Sequence, residues 1–262
     1  MTPALFIGHG SPMNALEDNA FTRGWRDAAR RIGRPRSIVC ISAHWTTRGV
    51  AICTAPRPRA IHDFGGFPQA LFDVRYPAPG DPALARRITQ MIKSAKVHED
   101  AEWGLDHGAW SVLRVMYPDA DVPTLQLSLD MSQPGTFHHR LAQELTPLRD
   151  ESVLILGSGN IVHNLLEFSF RDPKPLDWAV RADATVRGLI ESGNDAALAD
   201  WPNLGADVLH GIAGPEHFLP LIYVLAQRQA DEPVRFFNDS VIGSISMTSV
   251  QIGESRGARK TT

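Results

Sequence analysis

The sequence lacks what would place it in several common classes. Two cysteines in 262 residues, Cys40 and Cys53, are too few for a disulfide framework. Both sit in apolar, strand-like runs, which points to buried free thiols and a reducing compartment. No run approaches the roughly 18 apolar residues of a membrane span. The first residues have no charged segment leading into a long apolar one, so no signal peptide is expected. These absences favour a cytoplasmic protein without membrane contact. There is no block of five or more like charges, and the formal net charge is -3. The locally basic stretch from Arg23 to Arg36 spreads its charges around a helix, so a solvated face is expected rather than a nucleic-acid surface. Phosphate-loop, dinucleotide-fold, serine-hydrolase elbow and HExxH zinc patterns are all missing.

What remains is an ordinary globular composition, 43% hydrophobic and 21% charged. Buried strands are expected at Ala4–Ile7, Ser37–Ser42, Gly49–Thr54 and Ser152–Leu156, with further strands at Pro123–Leu129, Val234–Phe237 and Ser244–Ile252. Helices are expected over Phe21–Ile32, Pro82–Ala95, Thr136–Leu148, Trp178–Glu191 and His217–Gln229. Strands alternating with helices argue for one α/β domain with a central, largely parallel sheet flanked by helices. The long irregular stretch from Ala55 to Gly80 is of the kind that covers a functional pocket.

Histidine, by contrast, is present where a core has no need of it. His9 in Gly8-His9-Gly10-Ser11-Pro12, His44 in Ser42-Ala43-His44-Trp45 and His163 in Gly159-Asn160-Ile161-Val162-His163-Asn164 each follow an apolar run, and His217 stands in Pro215-Glu216-His217. In α/β proteins, loops leaving the carboxyl ends of strands carry the chemistry. Neutral imidazole is the commonest metal ligand, so convergence there would make a metal site. Plainer readings stand beside this one. His9 suits a simple turn, His44 a backbone-bonded histidine, and Glu216 a first-turn carboxylate favoured by the helix dipole. If a helix starts at Asn160, its dipole keeps His163 neutral, fit for a ligand or a base. His107 and His62 are second-rank pocket candidates. His98, His138, His139 and His210 read as surface or structural. Residue patterns alone reach a multi-histidine mononuclear site and stop there.

Taken together, six segments resemble a known family. They are Gly8-His9-Gly10-Ser11-Pro12-Met13, Ser42-Ala43-His44-Trp45, Ile61-His62-Asp63-Phe64-Gly65-Gly66-Phe67-Pro68, Gly104-Leu105-Asp106-His107-Gly108, Ser158-Gly159-Asn160-Ile161-Val162-His163-Asn164 and Pro215-Glu216-His217-Phe218-Leu219-Pro220-Leu221. They look like motifs of the 4,5-DOPA extradiol dioxygenase family, within the LigB-like ring-cleavage superfamily, and are nearest to its bacterial members. The resemblance runs from Met1 to about Gly253. It implies a catalytic domain over 1–253 and a flexible tail over 254–262. It also implies opening of a catechol such as L-DOPA by O2, beside the diol, to a muconate semialdehyde.

The resemblance further implies one divalent metal, Zn(II) or non-haem Fe(II), and no organic cofactor. His9, His44 and His217 match ligand positions. His163 matches a residue that is the acid/base in the superfamily and a ligand in some bacterial relatives, and His107 is expected to hydrogen-bond diol or oxygen. Superfamily iron sites use two His and a carboxylate, whereas His217 with Glu216 beside it gives an all-imidazole set that also suits zinc. Arg57 or Arg59 would meet a substrate carboxylate. Partners are the catechol and O2, with no nucleic acid or membrane, in a monomer or small homo-oligomer. Two other readings are a zinc-dependent hydrolase using metal-bound hydroxide and a non-enzymatic metal-binding protein.

Overall fold

A computed structural model describes residues 1–254; the expected tail lies, from residue 255 on, outside the described residues. The central sheet has six strands: β1 (Ala4–Gly8), β2 (Ser37–Ser42), β3 (Thr124–Gln126), β4 (Val153–Gly159), β5 (Val234–Phe237) and β6 (Ser249–Ile252). Their order is β3-β2-β4-β1-β6-β5. The pairs β3/β2, β2/β4 and β4/β1 are parallel, and β6 alone runs against its neighbours. This is the largely parallel α/β sheet expected.

Alternation within the buried strands explains why they read as continuous apolar runs. Leu5, Ile7, Ile38, Cys40, Leu154 and Leu156 face one side, and Phe6, Val39, Ile41, Val153 and Ile155 face the other. Helices α1 (Ala20–Ile32) and α3 (His107–Met116) cover the first face with Trp25, Ala28, Trp110 and Leu113. The second is covered by α2 (Pro82–Met91), α4 (Gly135–Gln143), α5 (Asp177–Glu191) and α6 (Leu219–Leu225). Among the described residues no helix is long and apolar enough to cross a membrane. Both cysteines are free and buried.

Several boundaries differ from expectation for physical reasons. The helix begun at Pro82 ends at Met91, with Ile92 extended, and Pro147 confines the segment after Gln143 to a 3-10 turn, Thr146–Glu151. Val50–Cys53 pairs with Val97–Asp100 outside the main sheet. The expected helix from His217 is a 3-10 turn, Pro215–His217, followed by α6. No helix begins at Asn160. His163 instead forms single bridges to Ile212 and Ile245, and its N–H donates to the Gly211 carbonyl at 2.9 Å.

Candidate metal centre and substrate pocket

Parallel neighbours end at one edge of a sheet, so β2, β4 and β1 deliver their following residues to the same place. Register makes this tight: Gly8 stands opposite Gly159, and Ser42 opposite Ser158. The His9 N–H extends the ladder to the Gly159 carbonyl at 3.0 Å, and Gly10 turns the chain away at φ 58°. His217 comes from the Pro215–His217 turn, where its carbonyl accepts from Asn160 N–H at 2.9 Å. Only glycine at 159 permits this approach, since a Cβ there would lie 2.1 Å from the His217 oxygen. His107 opens α3 behind its cap, Asp106. The buried Asp106 carboxylate accepts from Ala109 N–H, the Ser42 hydroxyl and the Gln126 amide at 3.1, 2.6 and 2.8 Å. That carboxylate ties the start of α3 to the ends of β2 and β3.

His9, His44 and His217 present ligand atoms that all lie within 4.8 Å of one another. Nε2 of His9 and Nε2 of His44 are 3.3 Å apart. Hydrogen bonding decides the tautomer of His9. The Ser158 hydroxyl donates to the Gly108 carbonyl at 2.6 Å, so its oxygen accepts from His9 Nδ1–H at 3.0 Å. The lone pair of His9 is then on Nε2, aimed at His44. His217 Nδ1 lies 3.2 Å from Glu216 Oε1, which likewise places its proton on Nδ1 and frees Nε2. A carboxylate behind a ligand histidine is how metal sites fix imidazole orientation. Glu216 therefore backs His217 and does not stand in the converging set.

Charge fits the same use. Burial, and after it the neighbouring imidazoles, holds His9 and His217 well below the ordinary histidine range and His44 at about 3. Rings kept neutral offer lone pairs, and three such donors suit a divalent Zn or Fe ion.

His163 is near but not in that set. Its ring stacks on His217 with centroids 3.5 Å apart and planes 9° apart. Burial lowers it to about 4, so burial and not a helix dipole keeps it neutral. His107 lies against His44, ring centroids 3.8 Å apart. Asp63 holds it twice: Oδ1 accepts the His107 backbone N–H at 3.0 Å, and Oδ2 is 2.9 Å from Nδ1. Burial would raise Asp63, but His107 draws its carboxyl below the usual range. Sequence reasoning named neither Asp63 nor Ser158 as a working residue. Asp63 stands inside a quoted motif beside His62, yet no spacing rule links it to His107, 44 residues away.

Of the six histidines expected as site candidates, all but His62 reach the site. His9, His44, His107, His163 and His217 line a cavity of about 680 Å³. His62 does not line it, and instead meets the Val74 carbonyl at 3.2 Å beneath the long loop. The loop does contribute a wall, Phe64 to Phe67, and Trp110 pins it by donating to the Ile61 carbonyl at 2.8 Å. Phe168, Phe170, Ile242 and Met247 make the opposite wall. Arg57 and Arg59 are absent from the lining. His138 is structural and fully buried, between the Tyr223 hydroxyl and the Asp130 carbonyl. A second cleft of the same volume, beside α1, holds arginines and none of these histidines.

Comparison with known proteins agrees with this geometry. Residues 3–248 match the family of the catalytic LigB subunit of aromatic ring-opening dioxygenase. The chain is 46% identical over 260 residues to the 4,5-DOPA dioxygenase extradiol of Escherichia coli (strain K12), covering 96% of this chain and 94% of that protein. It is 34% identical over 247 residues to the protein of the same name from Beta vulgaris, with 92% of each chain covered. The crystal structure of an uncharacterized Escherichia coli K12 protein superposes with a TM-score of 0.83 at 39% identity, covering 97% of this chain and all of that one.

Proposed function

The chain belongs to the LigB family of extradiol, aromatic ring-opening dioxygenases, and from this premise we propose that it opens a catechol such as L-DOPA with O2 to a muconate semialdehyde. His9, His44 and His217 hold one divalent metal, and 1–253 forms the catalytic unit. The observation that carries the reading is the meeting of those three lone-pair donors at the base of an apolar-walled cavity. When bound, the metal supplies Lewis acidity to the diol and, as Fe(II), the redox capacity that O2 chemistry requires and Zn(II) lacks. Fe(II) is accordingly the working metal, and no organic cofactor enters. Two free, buried cysteines accord with a cytoplasmic setting.

The chain's own residues do the rest. His163, neutral and stacked on His217, takes a proton from a catechol hydroxyl and returns it as the ring opens. Asp63 orients His107 through its backbone N–H and the close Oδ2–Nδ1 approach, and His107 faces diol and oxygen beside His44. Phe64, Phe67 and Phe168 hold the aromatic ring and exclude water. To test this, the apo-protein is loaded with Fe(II) without oxygen, then given L-DOPA and O2. Yellow semialdehyde and oxygen uptake are expected, and no oxygen uptake with any catechol would refute the reading. The all-imidazole donor set favours, second, a zinc-dependent hydrolase, which would turn over esters without oxygen.

A further inference from the structure

Apart from the histidines, the one formally charged side chain among the described residues lining the cavity is Glu17. No lysine or arginine lines it. Asp63 and Glu216, the nearby carboxylates, are held on His107 and His217. Glu17 is held too, by a chain of amides that starts at the metal centre. The His9 carbonyl accepts from Asn14 Nδ2 at 3.0 Å, and Asn14 Oδ1 accepts from Asn19 Nδ2 at 2.8 Å. The same Asn19 nitrogen donates to Glu17 Oε2 at 3.1 Å. Asn19 has no freedom to flip, because its Oδ1 accepts from Phe21 N–H and Thr22 N–H, both at 3.0 Å, capping α1. The carboxylate is thus fixed to the loop that carries His9. Among the described residues it meets no cationic side chain.

Resting on the ring-opening reading, we propose that Glu17 selects catechols whose side chain carries an ammonium group, and that the cavity has no subsite for a side-chain carboxylate. A catechol seated with its diol at the histidines and its ring between the phenylalanines directs its substituent toward the mouth, where Glu17 pairs with the cation. L-DOPA is then accepted through its amine, and its carboxylate is dispensable. A negatively charged side chain meets Glu17, the neutral Ser11, Asn14 and Asn19, and apolar wall, but no cationic side chain among the described lining residues. The pairing is present in ground and transition states alike, so it acts on KM more than on kcat.

The test compares dopamine, L-DOPA and dihydrocaffeate as substrates of the Fe(II)-loaded protein. The same three are titrated without oxygen by calorimetry. Dopamine should match or exceed L-DOPA, and dihydrocaffeate should be weaker by about five-fold, the worth of one partly exposed ion pair. Glu17→Gln should erase the dopamine-to-dihydrocaffeate ratio and Glu17→Lys reverse it. Glu17→Asp should keep part of it, with circular dichroism showing each variant folded. A preference for dihydrocaffeate, or a ratio unmoved in Glu17→Gln and Glu17→Lys, would overturn the proposal. The amine preference in calorimetry without oxygen uptake by any catechol would support the selectivity and refute the dioxygenase reading.

Discussion

The floor and the mouth of the cavity are built differently. At the floor, His9 and His217 are 3% and 6% exposed and are set by strand register, backbone ladders and directed hydrogen bonds. At the mouth, the lining residues Leu165 and Phe170 are 56% and 88% exposed, on the chain after β4. The floor is over-determined and the mouth is not. On the proposed reading, the rigid sheet holds the chemistry and loops set the choice of substrate, the division common in α/β enzymes.

That contrast breaks most severely if a floor histidine proves dispensable. His217→Ala should leave the protein folded, remove bound metal and abolish ring opening, read by metal analysis and oxygen uptake. The next effect comes from backbone. Gly159→Ala drives a methyl into the His217 carbonyl, and overpacking of this kind costs about 1–3 kcal/mol. Chemical denaturation should show that loss together with weakened metal binding, whereas unchanged stability would mean the floor is softer than argued.

Protons sharpen the comparison further. His163 has an ordinary value of 6.5 when unfolded and about 4 when folded. The unfolded chain therefore binds the proton first. Stability in the metal-free protein is full above pH 6.5 and is lost as pH falls toward about 4. Thermal melts across that window should fall less steeply for His163→Leu than for the natural protein. The smallest effect belongs to the mouth. Phe170→Ala should raise KM by a few-fold with kcat and melting temperature nearly unchanged, and a large stability loss would show the loop to be part of the core.

The floor was the more legible region in the sequence. Continuous apolar runs ending in Gly8, Ser42 and Gly159 announced buried parallel strands, and the histidines just beyond them announced the site. His217 and His107 were named as candidates from the residues, but their roles came only with the family resemblance, because their approach depends on long-range packing of a 3-10 turn and a helix start on strand ends. Asp63 and Ser158 were invisible because a hydrogen bond across 149 residues, as between Ser158 and His9, leaves no periodic trace. The helix considered as a condition at Asn160 does not form, for a related reason. Asn160 and Asn164 spend their amides on the Ser246 and His210 carbonyls, which hold this segment as an irregular crossing. Arg57 and Arg59 were misplaced because a 26-residue loop does not reveal which of its faces meets the pocket.

The central claim is that three histidines hold the metal while His163 handles protons. Metal content and oxygen uptake of His163→Ala, loaded with Fe(II) beside the natural protein, test it most directly. One metal per chain in both, with L-DOPA turnover in the variant reduced by about 10²–10⁴-fold, is the predicted result. Loss of the metal from His163→Ala, or turnover undiminished, would contradict it.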